Sequence, residues 1–234
     1  MRILAVAAHP DDLELLCGGT LARFVNEGHT VTMCHVSRGD RGSYEHSMEE
    51  IAAIRLTEAA EAAAIIGAEH VTLGLSDGEV DASDPHQREL AVDLVRQYSP
   101  DLILTHHSAD YMCDHVETGR LIEDASFVAS LPLYETSHTN PVSVPAVYYF
   151  DTVTGLEFNP TEFVDISDVI DTKLTAISAH RSQLVWLAGH DNIDFVEQAR
   201  VASRYRGIQA GTQYAEGFRP SLKSLRPRTV RLLP

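Results

Sequence analysis

The chain has 234 residues, 44% of them hydrophobic, and a formal net charge of -16 from 34 acidic and 18 basic side chains. This length and composition predict one globular domain over residues 1–234, with a core in 1–130 and a C-terminal elaboration in 131–234. The acidity argues against nucleic acid or an anionic membrane as a partner, because both require a positive surface.

The cysteines and the first residues indicate a compartment. Cys17, Cys34 and Cys113 form no Cys-x-x-Cys pair, and an odd, widely spaced set is typical of a reducing environment. The apolar run after Met1 is too short for the core of a signal peptide or for a membrane span. We therefore expect a cytoplasmic protein.

Strands and helices are predicted to alternate up to about residue 130. The predicted strands cover 2–7, 30–36, 71–73, 101–105, 147–150 and 163–166. The predicted helices cover 18–27, 47–66 and 84–98, with one more from about residue 116 and two after residue 166. This alternation is typical of a parallel sheet covered by helices on both faces.

The first predicted strand runs into A-H-P-D-D-L-E at residues 8–14, which concentrates metal-binding groups at a strand end. Ligands of α/β proteins bind at such ends, and imidazole and carboxylate groups bind zinc. His9 and Asp12 are close enough in a turn to share one ion. Asp11 points elsewhere and is free to take a proton from activated water. Glu14 is expected to support the site without binding the ion.

A third ligand is expected from H-H-S-A-D-Y-M-C-D-H at 106–115, which follows the predicted strand 101–105. His115 is favoured because it stands just before a predicted helix that would hold it rigidly. The alternatives lie in the same segment: His106, His107 and Cys113. A histidine and carboxylate site accepts zinc and also other divalent metals.

Six motifs occur in order along nearly the whole chain. They are A-H-P-D-D-x-E-x-x-x-G-G-T at 8–20, R-x-x-E at 55–58 followed by L-G-L-S-D-G at 73–78, D-Y-M-C-D-H at 110–115, K-x-x-A-x-x-x-H-x-S-Q at 173–183 and Y-A-E-x-F at 214–218. This series resembles the zinc-dependent de-N-acetylases of the PIG-L/LmbE type. The resemblance implies a Rossmann-like three-layer αβα fold with a mostly parallel sheet, a homo-oligomer (trimer or hexamer), and removal of acetyl from an N-acetylglucosamine-type conjugate.

The resemblance also implies roles for single residues. Zinc would be held by His9, Asp12 and His115, with Asp11 as the general base. Further residues would lie at or near the substrate pocket: Arg38, Asp40, Arg55 and His180.

One motif departs from the family, which commonly has H-P-D-H where this chain has M-C-D-H at 112–115. Met112 cannot donate a proton or a hydrogen bond. His180, Tyr111 or a basic side chain must replace that histidine, or the reaction proceeds without it. Tyr111 and Met112 would then line the pocket, while Asp114 remains to orient a metal-binding histidine.

The favoured function is hydrolysis of a small N-acetylated substrate by zinc-activated water, with protonated Asp11 or His180 supplying the amine proton. Alternatives are a zinc amidase for a non-sugar or thiol-conjugate amide, and a metal-binding homologue without catalysis, which Met112 suggests. A nucleotide-binding dehydrogenase is disfavoured because the chain has no G-x-G-x-x-G motif.

Overall fold

A computed structural model describes residues 1–223 and 228–234. The strands are β1 (Arg2–Ala7), β2 (Thr30–Ser37), β3 (Glu69–Leu75), β4 (Leu102–Thr105), β5 (Ala146–Phe150), β6 (Glu162–Asp165) and β7 (Ala215–Pro220). The helices are α1 (Asp12–Asn26), α2 (Met48–Ile66), α3 (Pro85–Tyr98), α4 (Cys113–Val128), α5 (Ile170–Ser178), α6 (Arg181–His190) and α7 (Phe195–Ala210). In this described part, every helix is too short or too polar to cross a bilayer.

One sheet of seven strands runs in the order β3-β2-β1-β4-β5-β7-β6. Strands β1 to β5 pair in parallel, whereas β7 is antiparallel to both of its neighbours, β5 and β6. The predicted α/β fold with a mostly parallel sheet is therefore confirmed. Strand β7 was not predicted, because its residues A-E-G-F-R-P include a glycine, a proline and two charges that disfavour strands.

Helices cover both faces of the sheet, and β1 shows how. Its alternate residues Ile3, Ala5 and Ala7 join the apolar cluster that includes residues of α1, α2, α5 and α7. Leu4 and Val6 join the second cluster, to which α3 and α4 contribute. A strand buried on both faces is continuously apolar, which explains the run at the start of the chain.

The strand order reverses direction beside β1. The chain passes from β1 to β2 and β3 on one side, and then continues with β4 and β5 on the other side. The segments that follow β1 and β4 therefore separate and leave a crevice at their carboxyl ends, where open α/β sheets bind ligands. The sheet thus brings the two His-rich and Asp-rich segments to one place.

Two helices near this crevice begin earlier than predicted. Helix α1 begins at Asp12 rather than Gly18, because burial of its inner face outweighs the poor helix propensity of Gly18 and Gly19. Helix α4 begins at Cys113, so His115 lies within its first turn rather than before the helix. The region after residue 166 contains three α-helices instead of the predicted two.

Candidate metal centre and its cavity

The turn after β1 and the first turn of α4 bring His9, Asp12 and His115 together. His9 Nδ1 lies 3.2 Å from His115 Nε2 and 3.4 Å from Asp12 Oδ2, and the last two atoms are 3.3 Å apart. These three donor atoms form a nearly equilateral triangle that could hold a metal ion. His9 and Asp12 also line an open cavity, so one side of the triangle is accessible.

The size of the triangle fits zinc. Two donors bound to a tetrahedral zinc at about 2.0–2.1 Å lie about 3.3–3.4 Å from each other. Three protein donors with one open side are also the arrangement of catalytic zinc sites. The same nitrogen and oxygen donors accept other divalent metals, so the geometry does not select one ion.

Two aspartates lie behind the two histidines of the triangle. Asp114 Oδ2 is 3.0 Å from His9 Nε2 and also accepts the backbone N–H of Gly78 at 2.6 Å. Asp110 Oδ2 lies 3.3 Å from His115 Nδ1. Carboxylates in these positions orient metal-binding imidazoles and make them more basic. The sequence predicted this role for Asp114 but not for Asp110.

The carboxylates create a strongly negative potential at the triangle. Burial acts to lower the pKa of His9, yet hydrogen bonds to Asp114 and Asp12 raise it to about 10. Burial also opposes a charged His115, whose pKa Asp12 and Asp110 raise to about 9. Asp12 is itself buried, but the surrounding histidines keep the pKa of its carboxyl well below the usual value. This potential favours a bound cation.

Asp11 occupies a constrained position beside the triangle. It precedes α1 with φ of 113°, in the left-handed region, and its side chain makes no capping hydrogen bond. The carboxylate lines the cavity, and its Oδ2 accepts a hydrogen bond from Arg55 Nη2 at 3.3 Å. Burial raises the pKa of the Asp11 carboxyl to about 6, while Arg55 acts in the opposite direction. Such a carboxylate can exchange a proton near neutral pH.

The other candidate ligands of the 106–115 segment lie outside the triangle. His106 stacks on His115 with ring centroids 4.0 Å apart, and its Nε2 accepts the backbone N–H of Ala8. His107 packs edge-on against two aromatic rings. Cys113 is exposed in the cavity wall. His106 Nε2 also lies 3.5 Å from Asp12 Oδ2, but it is His115 that completes the triangle with both His9 and Asp12.

The cavity beside the triangle has a volume of about 890 Å³. Three residues predicted for the pocket do line it: Arg55, Tyr111 and Met112. The Arg55 guanidinium is buried and hydrogen-bonded to Asp11 and backbone carbonyls, whereas Tyr111 is 70% exposed at the opening.

Arg38 and Asp40, also predicted for the pocket, do not line the cavity among the described residues. Arg38 Nη2 donates to Asp40 Oδ2 at 2.6 Å. The buried Asp40 carboxylate also accepts from Ser76 Oγ at 2.7 Å and from the backbone N–H of Asp77 at 3.0 Å. The Arg38–Asp40 pair therefore stabilises the loop that places Asp77 in the cavity wall.

Glu14 and His180 lie together below the cavity, and both are fully buried. His180 Nε2 is 3.3 Å from Glu14 Oε1. Burial lowers and Glu14 raises the pKa of His180, with the net effect upward. From here His180 acts on Asp11 through its charge and has no direct access to a molecule in the cavity.

Sequence reasoning missed the part of the wall that α6 forms. Gln183, Trp186, Leu187 and His190 lie at helical spacing and all line the cavity. Glu58 fixes the start of this helix, because its carboxylate accepts the backbone N–H and the hydroxyl of Ser182 at 2.9 and 2.6 Å. The helical spacing of these four residues could have indicated that one face of α6 lines a site. The contact between Ser182 and Glu58 spans 124 residues and leaves no such signal in the sequence.

Comparison with known proteins points to one family. The model of the family PIG-L, described as GlcNAc-PI de-N-acetylase, matches residues 4–126. The diacetylchitobiose deacetylase of Thermococcus kodakarensis is 30% identical, over 93% of this chain and 82% of its own.

Solved structures agree on the fold but differ in activity. The crystal structure of GalB, the 4-carboxy-2-hydroxymuconate hydratase of Pseudomonas putida, has a TM-score of 0.83 and 26% identity, and all of both chains is covered. The N,N'-diacetylchitobiose deacetylase of Pyrococcus horikoshii has a TM-score of 0.79 and 25% identity, covering 97% of this chain and 87% of its own. The fold is thus shared by deacetylases and a hydratase.

Proposed function

Because the chain belongs to the PIG-L family, described as GlcNAc-PI de-N-acetylase, we propose that it is a metal-dependent hydrolase that removes acetyl from an N-acetylglucosamine-type conjugate. The observation that carries this proposal is the triangle of His9, Asp12 and His115, open on one side, with the Asp11 carboxylate next to it. We propose zinc as the ion.

His9, Asp12 and His115 would hold the cation, and Asp114 and Asp110 would keep the two imidazoles in place. A divalent cation supplies, when bound, a lower pKa for water and polarisation of an acyl oxygen. The chain itself must then supply a group that moves protons.

Asp11 is the group that we assign to proton transfer. Its carboxylate accepts the proton that water gives up while the oxygen attacks the amide carbon. A pKa of about 6 leaves the carboxylate ionised at neutral pH, yet it binds a proton more readily than an exposed aspartate. The fixed, left-handed backbone at Asp11 keeps this carboxylate apart from the neighbouring Asp12.

The leaving amine needs a proton when the C–N bond breaks. Met112 lines the cavity but has no proton to give, and His180 is buried against Glu14. We therefore assign the return of the proton to Asp11, which gained it in the first step. This removes the need for a histidine at the position of Met112.

The charge of the cavity favours a neutral acetamido sugar over the polycarboxylate that the hydratase name implies. Five aspartates but only two arginines, Arg41 and Arg55, are among the described residues that line it. Arg41 is paired with Glu79, and Arg55 with Asp11. Even with a divalent cation bound, the formal charge of these lining groups stays negative, and neither guanidinium is free to bind a polycarboxylate.

The proposal is tested with Asp11→Asn, a change that keeps the size of the side chain and removes its proton-accepting charge. We expect an unchanged metal content and a loss of acetate release of about 10²-fold or more. N,N'-diacetylchitobiose and N-acetylglucosamine serve as substrates. Asp124→Asn is the matched control, since that exposed aspartate pairs with Arg88 away from the cavity.

Two results would overturn the assignment. Wild-type rates of acetate release in Asp11→Asn would exclude Asp11 as the base. Hydration of 4-carboxy-2-hydroxymuconate by the wild-type protein, without acetate release from either sugar, would favour the hydratase instead.

A further inference from the structure

Leu133 projects from the loop that follows α4. It is 92% exposed, and Leu131 in the same loop is 39% exposed. The buried guanidinium of Arg96 holds this loop, because it donates hydrogen bonds of 2.8–3.2 Å to four backbone carbonyls of residues 129–138. A loop that is already fixed loses little conformational entropy when it binds a partner. We call Leu131 and Leu133 the knob.

A second cavity, of about 300 Å³, opens beside α7. Leu15, Leu16 and Val153 form apolar parts of its wall, and Val201 and Tyr205 of α7 line it as well. An apolar cavity of about 150 Å³ already accommodates benzene, so this one has room for a leucine side chain. We call it the socket.

The exposed face of α7 extends the apolar surface of the socket. Val201, Tyr205 and Ile208 lie at helical spacing and are 56%, 54% and 66% exposed. Single exposed apolar side chains are ordinary, but a row of three beside a cavity forms a patch of the kind that binds a partner.

The charged residues in the wall of the socket are paired with each other. Lys173 Nζ lies 2.6 Å from Glu216 Oε1, and Arg206 Nε lies 2.5 Å from Asp151 Oδ2. Among the described residues, the wall therefore has equal numbers of positive and negative side chains, each with a partner. Such a cavity suits an apolar side chain better than a charged ligand.

The charges around the knob and around the socket are opposite in sign. Residues 195–234, which include α7, contain eight of the 18 basic side chains but only two of the 34 acidic ones, so the rest of the chain is strongly acidic. Arg204 on α7 donates only to backbone carbonyls, which leaves its charge without a carboxylate partner among the described residues. Glu135, two residues after Leu133, is exposed and likewise forms no ion pair within the described part of the chain. Opposite charges of this kind steer and orient association.

We propose that the knob of one copy of this chain docks into the socket of a second copy. Helices α4 and α7 pack on opposite faces of the sheet, so the knob and socket of one chain cannot meet each other. The contact between copies is therefore head-to-tail, and it closes into a ring of three or more copies or continues as a filament. Leu15, Val153 and Gln198 line both the socket and the main cavity, so a docked knob would pack behind the wall of the metal site.

Sedimentation velocity tests the proposal against a monomer mass of 25.7 kDa. Leu133→Glu places a charge on the knob, and Val201→Glu places one at the socket. We expect the wild-type protein to form an oligomer of three or more copies, and each variant to associate about 30-fold or more weakly, which is the effect of losing an interface hot spot. Leu56→Glu is the matched control, since this leucine is 48% exposed on α2 and lies outside both surfaces. Circular dichroism checks that all three variants fold.

A mixture of the two variants distinguishes a head-to-tail contact from a symmetric one. Leu133→Glu keeps an intact socket, and Val201→Glu keeps an intact knob. An equimolar mixture should therefore form a dimer with one copy of each and grow no further. The mixture is measured at high protein concentration, because an open dimer lacks the further contact that closes a ring.

Four results would overturn the proposal. The first is a wild-type protein that stays monomeric at the same high concentration, and the second is an oligomer that persists in Leu133→Glu or in Val201→Glu. The third is an equimolar mixture that remains monomeric, since the two surfaces would then not meet each other. The fourth is an equal loss of association in Leu56→Glu, which would show that the contact does not depend on the knob and socket.

Discussion

The His115 imidazole has a carboxylate at each of its nitrogen atoms. Nε2 faces Asp12 in the triangle, and Nδ1 faces Asp110 on the other side. Asp110 is held in turn by the backbone N–H groups of Met112 and Val153. The orientation of His115 therefore depends on Asp110, which is not among the described residues that line the cavity.

We expect Asp110→Asn to weaken metal binding about 10- to 100-fold, because the amide cannot support His115 as a carboxylate does. Competition with a chromophoric chelator measures the affinity, and Asp124→Asn again serves as the control. Denaturation of the metal-free variant checks that the fold survives the change. An affinity within twofold of wild type would show that Asp110 does not act on the metal site.

Gly119 determines how closely α4 approaches the segment after β4. A Cβ atom at Gly119 would lie 2.5 Å from the backbone oxygen of His106 and 3.2 Å from its carbonyl carbon. Neither atom can move without moving the backbone. Because α4 carries His115, a displaced helix would also open the triangle.

Gly119→Ala should therefore destabilise the metal-free protein by about 1–3 kcal/mol, the usual cost of overpacking, and should also weaken metal binding. Urea denaturation measures the first effect. Gly189→Ala is the matched control on α6, where a Cβ atom would meet nothing within 4 Å. That change should stabilise by up to about 1 kcal/mol. The interpretation fails if Gly119→Ala is as stable as wild type.

The sequence predicts a helix or strand boundary well when the residues that determine it are close together in the chain. The capping box of Ser47 and Glu50 marks the start of α2 because both partners lie within one helical turn. The start of α1 was predicted too late because burial of Gly18 and Gly19 against distant elements decides it. Strand β7 forms because it pairs with β5 and β6, and its own residues do not indicate a strand.

The candidate site likewise contains residues that the local sequence predicts and residues that only the fold brings together. His9 and Asp12 are three residues apart, so their meeting was predictable from the turn alone. His115 meets them because β1 and β4 are adjacent in the sheet, which the strand–helix alternation predicts only in general terms. Asp110 and the α6 wall depend on side-chain contacts between distant segments, and these were found only in the folded chain.

The triangle joins two segments that 100 or more residues separate: the turn after β1 and the first turn of α4. A cation bound there would link the two sides of the sheet at the point where the strand order reverses. Metal binding should therefore stabilise the entire domain rather than a single loop.

We accordingly expect zinc to raise the midpoint of thermal unfolding. Zinc at a thousand times its Kd would contribute about 4 kcal/mol, and each kcal/mol is about 2–4 °C for a domain of this size. Calorimetry with excess chelator and then with zinc measures the difference. His115→Ala, which removes one corner of the triangle, should show no such response. An equal midpoint with and without zinc in the wild-type protein would mean that the three side chains do not hold the ion in the folded state.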